Sequence, residues 1–193
     1  MLAHGAGAGM RHPFLERIAQ ALGERSVATY RYEFAYMEKR AGRPDPPAMA
    51  EARVREAVQD AARVAPGLPL FAGGKSFGGR MTSQAQAHEP LTGVHGLTFL
   101  GFPLHPPGRP ATSRAVHLSD VRIPMLFLQG TRDEFAGLDL LRPIVKKLGA
   151  GATLHVVEGG DHSFKVLKRT GRTETDVMNE LADTITAWAG EHA

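Results

Sequence analysis

The sequence contains no cysteine, and only 7% of its residues are aromatic. Without cysteine the chain can form neither disulfides nor a thiolate metal site, and we predict no metal. Its hydrophobic runs are all too short to span a membrane, and its first residues lack the basic and apolar segments of a secretory signal. These absences favour a cytoplasmic protein with no membrane partner.

Charge of one sign is not concentrated anywhere along the chain. Lys and Arg number 23 against 20 Asp and Glu, for a formal net charge of +3. The basic residues are scattered among acidic and apolar ones, so they form no obvious footprint for nucleic acid, and we predict no nucleic-acid partner. A chain of 193 residues with no linker-like stretch is expected to form a single domain over 1–193.

Apolar runs typical of strands alternate with amphipathic segments typical of helices. The predicted strands are 1–4, 26–34, 68–72, 94–100, 123–128 and 153–157, and the predicted helices are 13–22, 48–64, 79–88, 138–148 and 174–188. This alternation predicts an α/β fold with an essentially parallel sheet of about six strands and helices on both faces.

One long connection interrupts the alternation. Residues 101–120 contain four prolines and few apolar residues, and they predict a short irregular loop with no clear helix. Long irregular connections in compact domains are usually functional or disordered. We expect this loop to act as a cap that lines the substrate site, with a plain surface loop as the alternative. His105 and His117 in this cap could touch substrate or be solvated.

The most informative motif is Gly74-Lys75-Ser76-Phe77-Gly78, between a predicted strand and a predicted helix. A G-x-S-x-G in this position is typical of a nucleophile elbow, a tight turn that exposes the serine at the carboxyl edge of the sheet. A plain glycine-rich turn is the alternative. A phosphate-binding P-loop is disfavoured because that motif needs a glycine at position 69, which is Pro69. A dinucleotide-binding fingerprint at 5–10 is also disfavoured, because the position of its last glycine is occupied by Met10.

Two later strands deliver the partners that such a serine needs. Asp133 follows the strand at 123–128, and His162 follows the strand at 153–157, so the chain has the order Ser, Asp, His. The lesser candidates for the acid are Glu134 and Asp139. Asp161 is expected to hydrogen-bond within its turn, because a sequence neighbour rarely reaches the inner nitrogen of its own histidine.

Together these motifs resemble those of the α/β-hydrolase superfamily. The chain is similar to the small dienelactone-hydrolase-like and testis-expressed-type branch of that superfamily. The segments that carry the resemblance are 4–10, 73–81, 102–107, 130–134 and 161–163. Members of this fold usually have two further strands ahead of the His-Gly loop, the second of them antiparallel, and only Met1-Leu2-Ala3 precedes the loop here. The strand around 27–34 would then be an exposed edge through which a homodimer could form.

The proposed chemistry assigns a role to each candidate. Ser76 would be the nucleophile, His162 its general base and Asp133 the group that orients the imidazole. The backbone N–H groups of Phe77 and Ala6 would form the oxyanion hole. Substrate-binding side chains could come from the following residues: Lys75, Arg80 and His105. Lys75 and Arg80 could favour an anionic substrate or have ordinary surface or salt-bridging roles.

The sequence therefore predicts a serine hydrolase that cleaves an ester, thioester or related acyl bond of a small molecule through an acyl-serine intermediate. This mechanism requires no cofactor. The alternative is a non-catalytic binding or scaffold protein with the same fold, because a fold alone does not establish chemistry.

Overall fold

The computed structural model describes residues 1–39 and 41–193. Six strands form one sheet: β1 (Leu2–Ala3), β2 (Arg31–Tyr32), β3 (Leu70–Lys75), β4 (Val94–Leu100), β5 (Met125–Gly130) and β6 (Ala152–Val157). Their order across the sheet is β2-β1-β3-β4-β5-β6, and every neighbouring pair is parallel. The prediction of a parallel six-stranded sheet is confirmed.

Helices follow most of the strands. They are α1 (Pro13–Gly23), α2 (Ala35–Glu38), α3 (Pro47–Val64), α4 (Phe77–His88), α5 (Leu138–Leu148) and α6 (Glu174–Glu191). Five of them match predicted helices, with ends that differ by at most a few residues. The sequence did not predict α2, because four residues are too few to show helical periodicity.

The sheet separates two hydrophobic cores, and β5 shows how its side chains divide between them. Met125 and Phe127 face a core that contains buried residues of α3, α4 and α5, whereas Leu126 and Leu128 face a core built with α1 and α6. Successive side chains of a strand point to opposite faces, so one apolar strand serves both cores. The prediction of helices on both faces is confirmed.

The edge strand is shorter than predicted. The sequence suggested a strand over 26–34, but only Arg31–Tyr32 pair with the sheet. Two local features explain the difference: β1 offers only two residues for pairing, and the backbone N–H of Val27 donates instead to the Leu22 carbonyl at the end of α1. A short edge strand exposes few unpaired backbone groups. Dimerisation through this edge stays a prediction, and sedimentation would test it.

The cap is not wholly irregular, contrary to the prediction for 101–120. Residues Ser113–Asp120 form a 3₁₀-helix, and Ala115 and Leu118 on it are buried. Residues three apart lie on the same side of a 3₁₀-helix, which buries this pair against the core. A three-residue repeat of this kind does not show as the 3.6-residue period of an α-helix, so the sequence did not predict the element. Within the described ranges, no helix is long and apolar enough to cross a membrane.

Glycine at position 78 allows α4 to pack directly on β1. A Cβ added to Gly78 would lie 2.6 Å from both the Cβ of Ala3 and the carbonyl oxygen of His4. Both neighbours belong to the loop and strand beside Ser76, so the contact sets the distance between the elbow and the His-Gly loop. A larger residue would push these two segments apart.

We expect Gly78→Ala to lower the free energy of unfolding by about 1–3 kcal/mol, because the added methyl overpacks a site walled by backbone. Chemical denaturation would measure the loss. Gly190→Ala is the matched control, since Gly190 also lies in a helix but has nothing within 4 Å of an added Cβ. Equal stability changes for the two variants would contradict the packing argument.

Candidate active site

Ser76 occupies a strained turn between β3 and α4. Its φ is +50° and its ψ is −113°, a conformation that residues with a side chain rarely adopt. Its backbone N–H donates to the Leu100 carbonyl at 3.1 Å, which fixes the turn to the carboxyl end of β4. Such strain persists only where the surrounding structure holds it, and it concentrates at functional sites. Ser76 as a whole is half-buried.

The structure brings together the three side chains that the sequence singled out. His162 Nε2 lies 2.9 Å from Ser76 Oγ, and His162 Nδ1 lies 2.8 Å from Asp133 Oδ2. These residues follow β3, β5 and β6, whose carboxyl ends share one edge of the parallel sheet. The arrangement can take a proton from the serine at one ring nitrogen while the carboxylate holds the other. The catalytic roles remain a prediction.

Asp133 is held by more than the histidine. Its side chain is fully buried, and Oδ2 accepts a hydrogen bond from Gln129 Nε2 at 2.6 Å as well as from His162. The other oxygen, Oδ1, accepts from the backbone N–H of Phe135 at 2.8 Å. Three donors around one buried carboxylate fix its orientation.

The loop after β6 positions His162. Asp161 Oδ1 accepts from the backbone N–H groups of Ser163 at 2.8 Å and Lys165 at 2.9 Å, so the turn role predicted for Asp161 is confirmed. The imidazole stacks on the ring of Phe135, with centroids 4.1 Å apart. Its side chain keeps 19% of its surface exposed, so a leaving group or water can approach it.

Of the two backbone N–H groups predicted for an oxyanion hole, one belongs to the residue after the serine and the other to a loop that touches the elbow. Phe77 is the first residue of α4, so no carbonyl within the helix can accept its N–H. The loop that carries Ala6 touches the elbow, since a Cβ added to Gly5 would lie 3.8 Å from Ser76 Cβ. Among the described residues, the Ala6 N–H donates to no backbone or side-chain acceptor. The oxyanion role stays a prediction.

His4 holds the loop that carries Ala6 in place. It is completely buried, its Nδ1 lies 2.8 Å from the Gly5 carbonyl, and its Nε2 accepts the backbone N–H of Phe34 at 3.1 Å. Burial lowers the pKa of His4, and the hydrogen bond to Gly5 and the charge of Glu33 oppose this shift. A neutral ring that donates from Nδ1 and accepts at Nε2 satisfies both partners.

The two basic residues beside the serine are more buried than the surface roles considered for them would require. Lys75 is buried, with 9% of its surface exposed, and it forms no salt bridge among the described residues. Arg80 is partly buried one turn beyond Ser76 in α4, and its pKa is lowered by burial and then by the nearby Arg114. A role for either residue in binding an anionic substrate stays a prediction.

The cap histidines are packed rather than solvated. His105 is 5% exposed, its Nδ1 lies 2.8 Å from the Pro106 carbonyl, and its backbone N–H donates to the Phe135 carbonyl. His117 Nε2 lies 2.8 Å from Ser83 Oγ. Burial, with the charges of Arg80 and His88, lowers the pKa of His117 to about 4. Contact between His105 and substrate stays a prediction.

Two residues that support the triad, Gln129 and Phe135, were not predicted from the sequence. Gln129 donates to Asp133 and accepts the backbone N–H of Phe102 at 3.0 Å, so it links the acid to the start of the cap. A single amide within the apolar strand β5 was the signal that could have identified it, because buried polar groups need partners. Phe135 gave no such signal, since an aromatic residue after a strand is common. Across the described residues, no group of three or more His, Asp or Glu could hold a metal ion.

Comparison with known proteins agrees with this fold. A family model described as an alpha/beta hydrolase domain matches residues 1–190. An α/β serine hydrolase without a lid from Xanthomonas campestris superposes with a TM-score of 0.73 at 22% identity, covering 97% of this chain and 81% of that one. An α/β serine hydrolase homologue from Coxiella burnetii gives 0.71 at 19% identity, covering 96% and 82%.

The esterase domain of a Rhodothermus marinus protein is also similar, with a TM-score of 0.66, 15% identity and coverage of 97% of this chain and 84% of that one. Likenesses at this level of identity establish a shared fold, and the family model spans nearly the whole chain. The chain therefore belongs to the α/β hydrolase family.

Proposed function

We propose that the protein is a serine hydrolase that cleaves an ester, thioester or related acyl bond through an acyl-serine intermediate. The observation that carries the proposal is the continuous chain of contacts from Ser76 Oγ through the His162 ring to Asp133, at 2.9 and 2.8 Å. These distances lie within the range expected of a nucleophile and its general base. Membership of the α/β hydrolase family supports the same reaction class.

In the first half-reaction, Ser76 Oγ attacks the acyl carbonyl carbon while its proton passes to His162 Nε2. The imidazolium that forms is stabilised by Asp133 at Nδ1. The negative charge that develops on the carbonyl oxygen would be bound by the N–H groups of Phe77 and Ala6. The bond to the alcohol or thiol then breaks, and the leaving group takes the proton from Nε2, which leaves the acyl group on Ser76.

In the second half-reaction, water replaces the leaving group. His162 Nε2 accepts a proton from the water as its oxygen attacks the acyl carbon. The new tetrahedral intermediate collapses with return of that proton to Ser76 Oγ, which releases the carboxylic acid. The histidine and serine end in their starting protonation states, so the cycle consumes only water and the acyl substrate.

A fluorophosphonate probe tests the proposal directly. We expect one probe per protein molecule, attached to the peptide that contains Ser76, because the activated oxygen attacks phosphorus and displaces fluoride. Intact-protein mass spectrometry followed by peptide mapping would measure this. Labelling should disappear in Ser76→Ala.

The chain offers a matched serine for this experiment. Ser83 also hydrogen-bonds a histidine, His117, at 2.8 Å, but it is buried inside α4. Ser83→Ala should therefore label as the wild type does. A folded wild-type protein that never labels would overturn the proposed hydrolase and favour the non-catalytic scaffold.

The acyl substrate is best sought with a panel that separates bond type from charge. Short-chain nitrophenyl esters test the acyl site, and thioesters, lactones and peptides test the bond preference. Esters with a free carboxylate test whether Arg80 and its neighbour Arg114 favour an anionic substrate, because two like charges close together gain from a shared anion. A neutral ester of equal length is the control for each charged one.

A further inference from the structure

The side chain of Lys75 has no role in the mechanism described above, yet it ends close to the catalytic groups. It lies at the end of β3 on the face covered by α1, with Nζ 6.0 Å from the centre of the Phe14 ring and 5.7 Å from that of Phe164. Successive strand residues alternate between faces, so Lys75 and the serine that follows it diverge. Its amine thus lies beside two aromatic rings.

This amine lacks a hydrogen-bond acceptor among the described residues. A buried amine without one is costly and therefore uncommon. Groups of the triad lie nearby, as Gly101 shows. A Cβ added to Gly101 would lie 3.0 Å from Lys75 Nζ, 3.3 Å from Asp133 Oδ2 and 3.4 Å from His162 Nδ1.

Because glycine has no side chain, a small space remains at Gly101 beside Lys75 Nζ, Asp133 Oδ2 and His162 Nδ1. Gly101 follows β4 and has a φ of +71°, a conformation that glycine adopts without strain. Any other residue there would separate the amine from the Asp133–His162 hydrogen bond. The charged or titratable groups that face Lys75 come from two loops: Asp133 after β5, and Asp161 and His162 after β6.

We propose that Lys75 is a positioning residue of the triad, whose ammonium charge beside Gly101 stabilises the Asp133 carboxylate and opposes protonation of the His162 ring. This inference rests on the proposed function. A positive charge near an imidazole disfavours the imidazolium, so the histidine stays available as a base at lower pH. The attraction to Asp133 keeps the carboxylate turned towards Nδ1.

The ammonium charge is itself dependent on pH within the range of an ordinary assay. Burial lowers the pKa of Lys75 to about 8, and the charges of Asp133 and Asp161 oppose this shift. Below that pH the amine is protonated and acts on the triad. Above it the amine is neutral, and the effect on the histidine is lost.

The competing explanation is purely structural: the aliphatic stem of Lys75 fills the space between Phe14 and Phe164. Lys75→Met separates the two explanations, because methionine fills a similar volume without a charge. Lys146→Met is the matched control, since Lys146 is an exposed lysine on α5. Both variants lose one positive charge, but only Lys75→Met loses it beside the triad.

The test measures kcat/KM between pH 5 and 10 for the wild type and both variants. In Lys75→Met we expect the midpoint of the acid limb to move upward by about one pH unit, and the inflection near pH 8 to disappear. Lys146→Met should match the wild type. A Lys75→Met profile that superposes on that of the wild type would overturn the proposal and leave a structural role.

A second measurement needs neither turnover nor a stable variant of Lys75. In the Ser76→Ala protein, nuclear magnetic resonance of labelled lysine Cε and of the His162 ring can be followed against pH. We expect the Lys75 signal to titrate near pH 8 and the His162 signals to shift with it. Independent titration of the two would overturn the coupling. Failure of probe labelling at Ser76 would instead count against the hydrolase, so the two failures are distinguishable.

Discussion

Replacing His162 by alanine is expected to lower turnover roughly 10⁴- to 10⁶-fold, the range typical of losing the base in a serine triad. The imidazole touches both Ser76 Oγ and Asp133 Oδ2, at 2.9 and 2.8 Å. Without it the serine proton loses its acceptor, and the leaving group loses its donor. Steady-state kinetics on a nitrophenyl ester would measure the loss.

The fold should survive this substitution. The His162 side chain keeps 19% of its surface exposed, and its main packing contact is the stack on Phe135. Its removal should cost about 1 kcal/mol of unfolding free energy, as for an ordinary partly exposed site. His155→Ala is the control, because His155 is a half-buried strand histidine paired with Glu180 at 2.7 Å. Full turnover in folded His162→Ala would refute the mechanism.

The sequence predicted the parts of the site that depend on strand ends. Apolar runs located β3, β5 and β6, and the carboxyl ends of parallel strands meet at one edge of the sheet. Ser76, Asp133 and His162 each follow one of these runs within a few residues. Their proximity is therefore a consequence of topology, which the alternation of strands and helices encodes.

The sequence did not predict features that depend on which surfaces cover a side chain. Lys75 was assigned to the neighbourhood of the serine, but its burial against Phe14 and Phe164 requires two segments far apart in sequence to meet. Gln129 also needed a distant partner, the Phe102 N–H, before its role could be recognised. Local sequence patterns predict a strand and the two faces of its side chains, whereas contacts between loops form only when the sheet is assembled.

Asp133→Asn is expected to reduce kcat roughly 10⁴-fold while leaving the shape of the side chain unchanged. The surroundings of the carboxylate explain the severity. Oδ2 accepts from both Gln129 and His162, and Oδ1 accepts from the Phe135 N–H, so each of these neighbours is a donor. Whichever way the introduced amide turns, its NH₂ group faces a donor.

At the Oδ2 position, the clash between the introduced NH₂ group and His162 can be relieved only if the histidine changes which ring nitrogen carries the proton. If the NH₂ of the introduced amide lies at the Oδ2 position, His162 must release its Nδ1 proton and carry the proton on Nε2 instead. A protonated Nε2 can donate to Ser76 but cannot accept its proton, which removes the base. If the amide turns the other way, the backbone N–H of Phe135 is left without its acceptor and the loop after β5 loses this hydrogen bond.

Glu134→Gln is the matched control for this experiment, since Glu134 is the adjacent acid, is exposed and was a rival candidate in the sequence. It makes the same change of carboxylate to amide one residue away and should leave kcat within about twofold, as for an exposed substitution away from the reacting groups. Chemical denaturation of both variants would separate loss of activity from loss of structure. Should Asp133→Asn retain near-normal kcat while Glu134→Gln loses it, the acid of the triad would be reassigned to Glu134.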